Sequence, residues 1–199
     1  MNFRTWQRAG AAAAALLGAG AALAHPEHGA AFSLGRGLMH PFGVDHLLAM
    51  VAVGVWSAAA LPSGRRWAGP AAFLAAMALG AGLAMAGLAP PIAGHVEAGV
   101  AASLLVFGAM LVFAARVPAG TGLALVAAAA SLHGVAHGVE LPAGASAAGY
   151  ALGFLATTAL LHGGGLGLGL VLRRRAVALM QPAGAVLGTA GLVLLATRL

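Results

Sequence analysis

The sequence predicts an all-α membrane protein, with six transmembrane helices behind a removable leader. Composition is the first reason: the chain is 61% hydrophobic and only 7% charged, with a mean hydropathy of +0.97, too apolar to clothe a water-soluble fold. The second is length, because the apolar residues fall into runs close to the roughly 20 that a helix needs to cross about 30 Å of hydrocarbon. The third is the placement of Arg, which is segregated between alternate loops.

Residues 1–24 read as a secretory signal. Arg4 and Arg8 precede the apolar residues 11–23, and Ala22-Leu23-Ala24 is an A-x-A cleavage site. The alternative is a first span left in place. Cleavage leaves residues 25–199 as one transmembrane domain whose new N-terminus, His25-Pro26-Glu27-His28, lies outside the cytoplasm. Two imidazoles and a carboxylate there could scavenge metal, or could be a plain polar tail. The tight amino-terminal copper motif is excluded, since Pro26 has no N–H and the second His is one place too late.

Apolar segments follow near 43–61, 67–88, 92–115, 120–140, 145–172 and 177–197. They are broken by Pro62-Ser63-Gly64-Arg65-Arg66, Pro90-Pro91, Arg116-Val117-Pro118, Leu141-Pro142-Ala143-Gly144 and Arg173-Arg174-Arg175. With the mature N-terminus outside, Arg65, Arg66, Arg116 and Arg173 to Arg175 face the cytoplasm, and only Arg36 and Arg198 stay outside. That is the positive-inside pattern of a multi-pass protein of a bacterial inner membrane. Gly and Ala dominate the spans and allow close helix packing. The Gly-rich run 162–169, HGGGLGLG, reads as packing; the alternative is an unwound stretch offering carbonyls to a cation.

Several functions are excluded. The chain has no Cys, which removes disulfides and thiolate metal sites. No GxxxxGK[ST] occurs, so the chain does not hydrolyse ATP by that route and no ATPase partner is evident. The formal charge of +6 lies in short loops between apolar runs and does not signal nucleic acid. The expected surroundings are the lipid bilayer, and the oligomeric state is open.

The informative residues are the ionisable ones at membrane depth, which are costly there and usually line a polar interior. In 40–58, HPFGVDHLLAMVAVGVWSA, His40, Asp45 and His46 stand at the outer end of the first span. His95 and Glu97 begin the third span. His133, His137 and Glu140, at i, i+4 and i+7, share one face of the fourth. His162 lies mid-span in the fifth, where a simple helix–helix hydrogen bond is an equal alternative. Carboxylates gathered in lipid repel one another unless a cation compensates them. Imidazole and carboxylate without thiolate suit nickel, cobalt, zinc, iron or copper(II), and ligand type alone does not choose.

These segments resemble a known family. HPFGVDHLLAMVAVGVWSA, the HGVAHGVELP of 133–142 and the VEAGVAASLLVFG of 96–108 resemble signature segments of the HupE/UreJ nickel permeases. The first motif, H-x4-D-H, is also similar to that of larger nickel/cobalt transporters. The resemblance implies six spans behind a leader. It implies metal residues at His40, Asp45 and His46, an acid at Glu97, and His133, His137 and Glu140 on the fourth span. His25, His28 and His95 are weaker features of the resemblance, and His162 is a less certain candidate by its mid-span position. It further implies no enzyme and no prosthetic group, but a permease carrying Ni²⁺, or in some relatives Co²⁺, inward for hydrogenase or urease. From the residues alone, an intramembrane metal-dependent hydrolase with Glu97 or Glu140 as base is the main alternative. A bis-histidine haem protein is a weaker one, since it leaves the carboxylates unexplained.

Overall fold

A computed structural model describes residues 30–90, 93, 95–175 and 177–199. The expected leader, His25 and His28 lie outside the described residues. Seven α-helices occur among those described, and no strand: α1 (Ala30–Met39), α2 (Val44–Ala60), α3 (Ala68–Met85), α4 (Val96–Val112), α5 (Ala119–Val139), α6 (Ala147–Arg175) and α7 (Met180–Ala196). The all-helical expectation holds, and α2 to α7 coincide with the six apolar segments.

Three stretches are long and apolar enough to cross a bilayer by themselves: Ser63–Met85, Ala119–Val139 and Ala147–Arg174. A fourth is obtained if α1 and α2, bent by 74° at a short break, count as one broken span. The helices α4 and α7 are apolar but only 17 residues long. Large apolar side chains such as Leu160, 75% exposed, and Val186, 71% exposed, point out of the bundle. Such a surface suits lipid and would be a liability in water.

Helix α1 is absent from the sequence expectation, which places no helix between the expected leader and the first span near 43–61. Its apolar pattern is too short to announce itself, and contacts far along the chain hold it. Ser146 donates its backbone N–H to Ser33 Oγ at 2.8 Å, and Thr157 Oγ1 donates to Leu38 O at 2.9 Å. The buried Pro41 sits in a single 3-10 turn, His40–Phe42, at the elbow into α2. A helical break of this kind is what proline imposes.

The bundle is assembled from helix pairs that are not neighbours in sequence: α3 with α5, α4 with α7, and α2 with α6, with α1 lying on α6. Glycines mark the crossings. A Cβ on Gly108 of α4 would come within 2.6 Å of Gly184 O on α7. A Cβ on Gly134 of α5 would collide with Met77 O on α3. Backbones this close gain dispersion contact that lipid tails cannot match. The run 162–169 is continuous helix within α6, and its Gly165 abuts Val51 of α2. Packing, not unwinding, is therefore its structural role. Trp56, Phe73, Phe107, Tyr150 and Phe154 fill the remaining centre.

The pairing sets the ends of the bundle. The starts of α2, α4 and α6 lie with the ends of α5 and α7, since His40 meets Glu140 and Tyr150, and Arg198 meets Asp45 and Glu97. At the other end Arg173 Nη1 donates to Ala58 O at 3.1 Å.

Gly134→Ala tests the packing argument. Its methyl has no room against Met77, and overpacking of this kind costs about 1–3 kcal/mol. The melting temperature of the detergent-purified protein should fall. Gly82→Ala meets nothing within 4 Å and should leave it unchanged or slightly raised; equal behaviour of the two variants would refute close α3–α5 approach.

Candidate metal site

Three elements deliver imidazoles to one point. The elbow between α1 and α2 brings His40, the first turns of α2 bring His46, and the last turn of α5 brings His137. One ring nitrogen from each of these three can be chosen so that all lie within 4.8 Å of one another, close enough to converge on one ion after small side-chain adjustment. The rings sit edge-on, with centroids 4.5 Å apart for His40–His137 and 4.9 Å for His46–His137. The i, i+4 spacing of α5 then carries the series inward, and His133 lies 4.8 Å from His46, ring to ring.

Hydrogen bonds fix which nitrogen of each ring is free. Asp45 Oδ1 accepts from the backbone N–H of His46 at 2.8 Å and from its Nδ1–H at 3.0 Å. A carboxylate only accepts, so in the neutral ring His46 Nε2 carries the lone pair. Ser103 Oγ spends its single proton on Val100 O at 2.7 Å. The 3.0 Å contact between Ser103 Oγ and His133 Nε2 must then be donated by the ring, which leaves His133 Nδ1 free. His162 Nδ1 donates to Met50 O at 2.8 Å, leaving Nε2 free. These three nitrogens, and both of those of His137, are buried with no hydrogen-bond partner among the described residues. Buried polar atoms are normally paired, and each of these neutral rings offers one lone pair that can serve as a donor to a cation.

The rings are also held from the sides. His137 stacks on Phe154 at 4.6 Å and 5°. Phe73 stands edge-on to both His133, at 5.4 Å, and His162, at 4.8 Å. His133, His137 and His162 are fully buried.

The outer face is different. His40 is partly exposed, with Nε2 2.8 Å from Glu140 Oε2 and Nδ1 2.9 Å from the Tyr150 hydroxyl. The Glu140 side chain thus stands at the mouth, partly exposed and paired with His40. Arg36, Met39, His40, Glu140, Pro142 and Tyr150 enclose a cavity of about 320 Å³ there.

The structure thus brings together His40, His46 and His137, with His133 behind them and Glu140 in front. Asp45 joins through His46, and its other oxygen is 2.7 Å from Arg198 Nη2. Glu97, half exposed at the start of α4, lies 3.3 Å from Arg198 Nη1 and is outside the three-histidine group. His95 is exposed at the same helix end. His162 lies deeper, beyond Phe73. Sequence reading missed Tyr150, Ser103, Phe73 and Arg198. Signals existed for two: Tyr150 is the single tyrosine of the chain, and Arg198 is an arginine on the side where the charge rule expects few.

The model of the family described as HupE / UreJ protein matches residues 13–194. Protein HupE of Rhizobium leguminosarum bv. viciae is 43% identical over 133 residues, covering 66% of this chain and 68% of that protein. No solved structure matches the chain. A match over nearly the whole chain, together with a relative of this identity, makes the protein a member of the HupE / UreJ family.

Proposed function

We propose that the protein is a secondary permease that carries a divalent transition metal, nickel first, inward across the cytoplasmic membrane to supply a hydrogenase or urease. The observation that carries this reading is the series of buried ring nitrogens without a hydrogen-bond partner among the described residues, on His46, His137, His133 and His162, lying behind His40 at the mouth. Family membership and the HupE relative support it. Neutral imidazole is a ligand for nickel and cobalt that holds the ion by lone pair rather than by charge. Glu140 attracts the hydrated dication; His40, His46 and His137 replace part of its water; His133 and His162 take it deeper. Each site must bind weakly enough to let go. A dication moving inward gains about 2.3 kcal/mol per charge per 100 mV of membrane potential, so no nucleotide-driven partner is required.

The reading includes six spans with both mature termini outside. The short helices α4 and α7, each about 25 Å long by helical rise, pack on each other, so neither faces lipid on all sides. The arginines 65, 66, 116 and 173 to 175 lie at the end of the bundle opposite the histidines.

Reporter fusions test the orientation. A fusion after Leu199 should report the outer side and one after Arg116 the cytoplasm; the reverse result would overturn it. Cells expressing the chain should accumulate radioactive nickel, with cobalt the strongest competitor among cobalt, zinc and copper. Hydrolytic turnover by purified protein without uptake in cells would favour the enzymatic alternative.

Variants test the residues. His137→Ala and Glu140→Ala should each lower uptake at least about tenfold, the scale expected when a metal-site group or its support is lost, whereas Trp67→Phe, exposed on the lipid side, should lower it by less than about twofold. Asp45→Asn keeps the shape and removes the charge, and should abolish uptake at normal protein abundance. Near-normal uptake by Asp45→Asn would show that its carboxylate has no part in transport.

A further inference from the structure

Arg198 lies past the end of α7 and beyond the residues that the family model matches. Its backbone N–H donates to Leu195 O at 3.0 Å, which continues the helix by a final tighter turn. From there the guanidinium reaches two other helices. Nη2 is 2.7 Å from Asp45 Oδ2 at the start of α2. Nη1 donates to Glu97 O at 2.9 Å and lies 3.3 Å from Glu97 Oε2 at the start of α4. A planar fork can hold two acceptors at fixed angles, which an ammonium cannot.

The consequence falls on Asp45. This carboxylate is 5% exposed, and a buried carboxylate is costly unless it is paired. Arginine keeps its charge at any physiological pH. With Oδ2 held by Arg198, Oδ1 faces His46 and fixes that ring with Nε2 free. Without Arg198, Oδ2 is an uncompensated anionic oxygen beside a cluster of imidazoles. It would then be drawn to any dication there, and a carboxylate added to imidazoles makes a tighter and slower site.

We propose that Arg198 is a positioning residue for metal passage: by bridging Asp45 and Glu97 it keeps Asp45 turned to His46, so that the outer site holds its ion through neutral imidazoles and lets it go. The inference rests on the permease reading. It predicts that removing Arg198 strengthens binding while slowing transport, whereas a merely structural anchor of α7 would weaken both.

The test is nickel chloride titrated calorimetrically into the detergent-purified full chain, beside uptake kinetics in cells. Arg198→Gln should lower the Kd about tenfold, a change worth one decade of affinity, and should lower both KM and maximal uptake. In an Asp45→Asn background the same change should move the Kd by less than about twofold, because the coupling runs through one carboxylate. Arg198→Lys retains charge but not the two-armed bridge, and should tighten binding by about threefold; it carries the test if Arg198→Gln does not accumulate. An unchanged or weaker Kd in the Arg198 variants, or an equal shift with and without the Asp45 carboxylate, would overturn the inference while leaving the permease reading in place. Failure of the native chain to bind nickel would overturn both.

Discussion

The structure depends on one constraint: polar groups taken out of water must find partners, and here several imidazole nitrogens have none among the described residues. An unpaired buried acceptor costs of the order of 1–3 kcal/mol, so the three helices α2, α5 and α6 that gather such groups act against the stability of the bundle. The cost is borne because each ring is fixed on its other nitrogen, by Asp45, Ser103 or Met50, or by stacking on Phe154. The same bonds decide which lone pair is left over. Fold and site are therefore coupled atom by atom, and the orienting residues matter as much as those whose nitrogens are free.

Small residues make the arrangement possible. A bundle whose helices met through leucines would hold their backbones too far apart for side chains as short as imidazole to converge from different helices. Close approach at Gly134 and Gly165 draws α5 against α3 and α6 against α2, and so brings His133, His137 and His162 toward the first turns of α2. Glycine lowers helix propensity, but a helix in lipid has no water to compete for its backbone bonds, and the weakness is tolerated.

Much of this was legible in the chain. The segments 43–61 to 177–197 gave α2 to α7, because long apolar runs bounded by Pro and Arg have few other solutions. The i, i+4, i+7 spacing placed His133, His137 and Glu140 on one face. What was not legible depends on contacts between distant parts of the chain. Helix α1 is ten residues long and exists through its seat on α6. Asp45 reads in sequence as a ligand, and only the position of Arg198, far away in the chain, shows both of its oxygens engaged. Glu97 reads as part of the cluster, and the fold instead turns it to the same arginine. Phe73 carries no motif at all, and its importance is purely spatial.

The stacking of His137 flat on Phe154 has a consequence for rate. If the protein is the permease proposed above, a ring stacked on another aromatic face resists swinging with its passenger, and the ion must step from His137 to the next ring. Each step breaks one metal–nitrogen bond before or as the next forms. The pace of crossing then belongs to the ion's own ligand-exchange chemistry more than to any motion of the protein. Two ions of the same charge and radius, held with equal affinity, would cross at different speeds if one exchanges its ligands faster, and discrimination between them would be kinetic.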